Sequence, residues 1–176
     1  MTRRRFFIGL AIASIVVIAA WLLGFAAHAT AETLNFKMFN HMTKAETVPI
    51  ADVGGHVISL SVREGVTVFQ NREWAWSKST TIRDLVKGAG TGDAYTTYTF
   101  LDGSTVTMHR KGKIEATPQG DPSAATWTGD IVNGTGRFQG IKGTVTFSTK
   151  IFPPETGESG GKTLSEGTLV YTLPGK

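Results

Sequence analysis

The stretch Asn133-Gly134-Thr135-Gly136-Arg137-Phe138-Gln139-Gly140-Ile141-Lys142-Gly143-Thr144-Val145-Thr146-Phe147 sets four glycines, Gly134, Gly136, Gly140 and Gly143, ahead of an alternating run. Glycine weakens a strand interior and is kept where a chain must bend sharply, bulge or admit another backbone. A small, tightly curved barrel needs such corners. The spacing G-x-G-x-x-x-G also invites comparison with a phosphate-cradling loop. A dinucleotide fingerprint, however, opens a helix, and here Thr144 to Phe147 alternates with period two. The stretch therefore predicts a barrel corner, and Asn133-Gly134-Thr135, although it fits the N-glycosylation pattern, belongs to that corner.

Outward from the corner the same period continues from Leu34 onward, with glycine, proline, aspartate or asparagine at the breaks and no convincing helical periodicity. About eight strands are expected: Leu34 to Thr43, His56 to Phe69, Arg72 to Val86, Ala94 to Leu101, Ser104 to Ala116, Ala124 to Val132, Phe138 to Ile151 and Thr163 to Leu173. Pro118 to Ser123 and Pro153 to Lys162 read as surface loops. Short strands at regular spacing argue for a sandwich or a barrel, and the glycine-rich corner favours the barrel.

A one-residue slip in register exchanges the two faces of a strand. Around Asp102-Gly103, a three-residue loop with Gly103 left-handed pairs Phe100 with Ser104, Tyr98 with Val106 and Thr96 with Met108, leaving one mainly apolar face. A two-residue turn would mix both faces. The same parity argument sends Leu34, Phe36, Met38, Asn40 and Met42 inward, and Trp127, Ile131, Ile141, Val145, Phe147, Leu169, Tyr171 and Leu173 with them. In the second strand it selects His56, Ile58, Leu60, Val62, Glu64, Val66 and Val68, with Ser59, Ser61, Arg63 and Thr67 facing away. Trp74 and Trp76 share a face, expected to be the inner one.

Residues 1–31 read as an export signal: a basic start, Arg3-Arg4-Arg5, an apolar run from Phe6 to Phe25, and A-x-A cleavage sites after Ala29 or Ala31. Thr2 to Phe7 further resembles a bacterial twin-arginine signal. The expectation is a periplasmic or secreted domain over residues 32–176, or one anchored to the membrane if the signal stays uncleaved. Of 18 basic residues three lie in that segment, which leaves 15 against 14 acidic ones and no basic domain for nucleic acid. The chain has no cysteine, so disulfides and thiolate chemistry are excluded and packing alone must hold the fold.

The segment Gly134 to Val145 resembles the glycine-rich stretch of the allene oxide cyclase and dirigent superfamily. The resemblance implies a single eight-stranded antiparallel barrel with an apolar cavity, cofactor-free chemistry where there is any, and assembly into homo-oligomers. It covers about a dozen residues, and in the rest of the chain only the strand rhythm. No catalytic residue of the family can be carried onto a position here.

Candidate chemistry rests on polar residues that parity turns inward. Glu64 lies between Val62 and Val66, and Arg110 continues the line of Val106 and Met108. A charge in an apolar interior is costly unless paired, so the two are expected to meet in the lumen or its mouth near Tyr98, His56 and Asn40. Placement of either at a solvated rim is the competing expectation. Trp74, Trp76, Trp127, Phe100 and Met108 complete a candidate ligand wall, or plain core. Of His41, His56 and His109, two fall on the outward parity, so no metal site is expected, and no serine-nucleophile elbow is present.

Three functions remain open. The first is an exported barrel binding a hydrophobic small molecule in its lumen. The second is a cofactor-independent isomerase or cyclase acting on an unsaturated, oxygenated lipid or polyketide-like substrate. In it Glu64 would be the acid/base, with Arg110 and Tyr98 steadying charge on oxygen. The third is an envelope domain with a filled core.

Overall fold

The computed structural model describes residues 30–118, 122–156, 158 and 160–174. Apart from Thr30 and Ala31, the expected export signal lies outside the described residues. Strands β1 (Glu32–Pro49), β2 (His56–Phe69), β3 (Trp74–Val86), β4 (Ala89–Phe100), β5 (Thr105–Glu115), β6 (Ser123–Gly134), β7 (Lys142–Ile151) and β8 (Lys162–Thr172) pair antiparallel in chain order. β8 pairs back onto β1, and the expected eight-stranded antiparallel barrel closes without a free edge over that stretch.

The Asp102-Gly103 hairpin has the three-residue form. The Phe100 amide donates to the Ser104 carbonyl at 2.9 Å, Gly103 has φ +79°, and Tyr98 faces Val106. The glycine-rich corner leaves β6, makes one 3-10 turn over Gly136–Phe138, and enters β7, with Gly136 and Gly140 both left-handed at φ +59° and +77°. Phe138, expected at the start of a strand, belongs to that turn and plugs the end of the barrel.

Two strands run longer than their composition predicts. β1 continues past a register shift at Met42/Lys44 to Pro49, where it pairs with β2 alone. β4 starts at Ala89, directly after a two-residue turn with Lys87 and Gly88 both left-handed (φ +51° and +83°). Gly90 and Gly92 disguise this part of β4 as loop. Gly92 and Gly112 in fact face each other across β4 and β5 to make room for the Trp127 indole, which a Cβ at either position would strike.

The parity expected for β2 and β3 is reversed. Ser61, Arg63, Thr67 and Phe69 point inward from β2, and Ala75, Ser77, Ser79 and Thr81 from β3. Val66, Val68, Trp76 and Ile82 lie on the outside, where Phe39, Val66 and Trp76 sit side by side in register across β1, β2 and β3. Choosing the apolar parity as the inner one presumes an apolar interior. One end of this interior is polar, and the outer wall of these strands carries most of their aliphatic residues and both tryptophans.

The lumen thus has two unlike halves. At the end closed by the corner, Phe36, Phe69, Tyr98, Phe100, Phe138 and Phe147 interlock, with ring centroids 4.8–6.3 Å apart and mostly tilted or edge-on contacts. At the other end the wall is lined by Asn40, Arg63, Ser79, Arg110, Thr149 and Ser165, among others.

Candidate functional site

Successive inward positions along a strand recur every second residue, so a run of small hydroxyl residues on one parity makes a polar stripe. β2 supplies Ser61 and Arg63, and β3 supplies Ser77, Ser79, Thr81 and Arg83. Their small side chains leave room in the lumen for the long arginines. Arg110 reaches in from β5 across Thr96 of β4.

Three guanidinium groups therefore share the polar half. Arg110 is the fixed one. Its Nε donates to Thr96 Oγ1 at 3.0 Å and its Nη2 to Ser79 Oγ at 3.1 Å, while Thr96 and Ser79 bond each other at 2.6 Å. Its plane lies over Trp127, 4.4 Å from the ring centroid, and near Phe147 at 5.0 Å. Arg63 and Arg83 are held more loosely. Arg63 Nη1 donates to Ser61 Oγ at 3.0 Å, and Arg83 Nη2 reaches the same oxygen at 3.3 Å. Arg63 Nε and Nη2 and Arg83 Nε are buried and find no acceptor among the described residues.

Among the described residues no carboxylate pairs with any of the three. Arg63 and Arg110 are each only 5% exposed. Burial pushes the Arg63 guanidinium down to about 9, helped by the charges of Arg83 and Arg110. It pushes Arg110 down to about 10 and lowers Arg83 as well. The Tyr98 phenol, fully buried and within the field of Arg110, is displaced upward by desolvation, so it remains a neutral hydroxyl. Burial thus works against the charged form of all three guanidiniums. A cavity of about 30 Å³ opens between them, bounded also by Met38, Trp127, Phe147 and Ile151.

The residues singled out from the sequence divide. Asn40, Tyr98, Phe100, Met108, Arg110 and Trp127 all point into the lumen. Asn40 accepts a 2.6 Å bond from Ser77, and Phe100 stacks in the aromatic plug. Glu64 does not meet Arg110. It stands on the outer wall, where its carboxylate takes the Lys78 ammonium at 2.9 Å in a solvated pair. Trp74 and Trp76 do share a face, edge to face at 5.8 Å, but it is the outer one, and Trp76 is 58% exposed. His56 lies at the β2–β3 end of the barrel, clamped between Asp52 at 2.6 Å and Asp84 at 2.8 Å rather than facing a ligand wall. The reversed parity of β2 and β3 accounts for Glu64 and both tryptophans.

Arg63 and Arg83 escape the sequence reading for the same reason. The signal that marks them is a repeat of small hydroxyls on one parity, Ser59-x-Ser61-x-Arg63 in β2 and Ser77-x-Ser79-x-Thr81-x-Arg83 in β3. Two adjacent strands with that pattern describe a polar, cationic wall.

No protein-family model matches the chain, and no curated protein matches it. Among solved structures it is similar to the pterocarpan synthase dirigent protein GePTS1, with 13% identity and a TM-score of 0.46 over 80% of this chain and 89% of that one. It is likewise similar to the pterocarpan synthase dirigent protein PsPTS1, with 14% identity and a TM-score of 0.44 over 82% of this chain and 96% of that one.

Proposed function

We propose that this barrel binds an amphipathic small molecule at the polar end of its lumen, and that it does so as an exported binding protein. The observation that carries this reading is the split lumen. The aromatic half is packed side chain against side chain, whereas the arginine-lined half keeps a cavity and three buried guanidinium nitrogens, on Arg63 and Arg83, that have no acceptor among the described residues. Buried polar groups are ordinarily satisfied, and convergent unsatisfied donors beside an aromatic wall are the usual makings of a ligand site. The ligand's apolar part has Met38, Trp127, Phe147 and Ile151 to rest on. An isomerase or cyclase loses its candidate acid, because Glu64 faces solvent.

The test is native mass spectrometry of the full chain purified from its own host, with extraction and identification of anything bound. The expected result is one amphipathic molecule in near-stoichiometric amount, displaced when Thr149→Leu fills the cavity it lines. A protein that is empty, and takes up neither 1-naphthoate nor 2-naphthol, would be an envelope domain with a filled core. Fractionation of the host in the same experiment tests export.

A further inference from the structure

We infer that Arg63 and Arg83 form a subsite for an oxyanion carrying two charges, of the phosphate-monoester class, that this group anchors the ligand in the lumen, and that inorganic phosphate and sulfate are its simplest probes. The inference rests on reading the polar half as a ligand site and names the chemistry of what it takes.

Four observations converge. The two guanidiniums approach one oxygen, Ser61 Oγ, from two strands, so their donors already point to a common acceptor position. Ser61 satisfies one nitrogen of each and leaves Arg63 Nε, Arg63 Nη2 and Arg83 Nε without an acceptor. Arg63 is nine-tenths buried or more, and no acid neutralises either arginine among the described residues. Finally, Arg110 is committed to Thr96, Ser79 and the Trp127 face, so it adds positive charge without competing for the same acceptor.

A single carboxylate would leave this cluster with an excess of two positive charges. A dianion with three terminal oxygens matches it better in charge and in number of acceptors. Arginine forks suit such oxyanions because each presents paired donors in a fixed plane. The cavity is about 30 Å³, close to the room of one water, so the anionic group takes its place only as Arg63 and Arg83 turn from Ser61 Oγ to its oxygens, and the organic remainder lies along the Trp127 wall.

The experiment is isothermal titration of the full chain with sulfate, inorganic phosphate at about pH 8 (where it is mainly dianionic), acetate and chloride, at matched ionic strength. Saturable binding of sulfate and phosphate at one site per chain, at least tenfold tighter than acetate, is expected. Arg63→Met and Arg83→Met should each weaken phosphate at least tenfold while circular dichroism shows an intact fold. Equal responses to all four anions on the unmodified chain would overturn the inference without any variant having to fold. Retention of phosphate binding by either folded variant would overturn it too. Two further ligands separate this inference from the reading it rests on. If phosphate binds but 1-naphthyl phosphate binds no tighter, the oxyanion subsite stands and the amphipathic ligand falls. If 2-naphthol binds as tightly as 1-naphthyl phosphate, and equally in both arginine variants, the lumen is a ligand site and the oxyanion subsite falls.

Discussion

Arg63 and Arg83, carried on neighbouring strands, share a single acceptor: Ser61 Oγ takes a hydrogen bond from each, at 3.0 and 3.3 Å. Two like charges seldom meet in an interior without an anion between them, since desolvation and mutual repulsion add. Arg63→Met removes one charge and fills its place with a flexible apolar chain. In a buffer free of sulfate and phosphate, this variant is expected to be more stable than the unmodified protein, on the order of 1 to 3 kcal/mol by analogy with buried charges replaced by apolar residues. Urea denaturation measures it. A loss of stability would mean that the contacts of Arg63 outweigh its desolvation, and that the cluster is structural.

Glu64 and Trp76 test the orientation of β2 and β3. The Glu64–Lys78 pair is solvated, so Glu64→Gln should change stability by no more than about 1 kcal/mol and leave ligand uptake unchanged. Trp76→Ala, on the outer wall, should cost less than about 1 kcal/mol. Trp127, 4% exposed and wedged between Gly112 and Arg110, should cost about 3 to 5 kcal/mol when cut to alanine. Equilibrium denaturation of the three variants side by side reads the difference. A Trp76→Ala loss as large as that of Trp127→Ala would return β3 to the opposite parity.

These residues also show where sequence reading stops. At the aromatic end, β4, β5, β7 and β8 turn apolar residues inward, so Tyr98, Met108, Val145 and Leu169 are legible as core. The Gly103 hairpin was legible because only one register segregates its faces. β2 and β3 invert the rule. Between Phe69 and Ala75 at one end and the far end of the strands, their inner residues are mainly serines, threonines and arginines, while most of their aliphatic residues and both tryptophans lie on the outside. Alternation states that two faces differ and leaves open which one is inside. Arg110 stands out because the inward face of its strand is otherwise apolar, with Val106, Met108 and Ile114. Arg63 and Arg83 were hidden because theirs are not, and only cross-strand register brings the three together.

His56 is expected to confer a pH dependence on the β1–β2 connection. Hydrogen bonds to Asp52 first, and then to Asp84, raise its imidazole above the ordinary value of 6.5. A histidine that is more basic in the folded state binds its proton more tightly there than in the unfolded chain. Its contribution is therefore complete below about pH 6.5 and is lost as the pH rises through the raised folded value. Thermal melting of the unmodified chain and of His56→Gln across this range provides the comparison. The difference between them should be largest on the acid side and shrink as the pH rises. A difference independent of pH would show that the imidazole acts only by hydrogen bonding and packing, without its charge.

Gly143 shows most plainly why the glycine-rich corner decides the fold. It lies second in β7, opposite Tyr171 of β8, and has an ordinary strand conformation, so left-handed backbone is not the reason for it. The reason is space. A Cβ on Gly143 would land on the Val170 carbonyl oxygen and within 2.7 Å of the Tyr171 Cα. Neither backbone group can turn aside as a side chain would. Gly143→Ala must therefore either separate β7 from β8 or displace Tyr171, whose hydroxyl donates to Glu32 at 2.7 Å at the β1–β8 closure. Both routes strain the closure of the barrel, and the expected cost is about 3 kcal/mol or more. Gly103→Ala supplies the contrast, since that loop position has nothing within 4 Å of a new Cβ and its φ of +79° is the only penalty, about 1 to 2 kcal/mol. Hydrogen exchange at the β7–β8 amides then distinguishes the two. Protection should collapse there in Gly143→Ala and persist in Gly103→Ala, and equal protection in both would mean that the seam tolerates a side chain and the corner's glycines serve its turns alone.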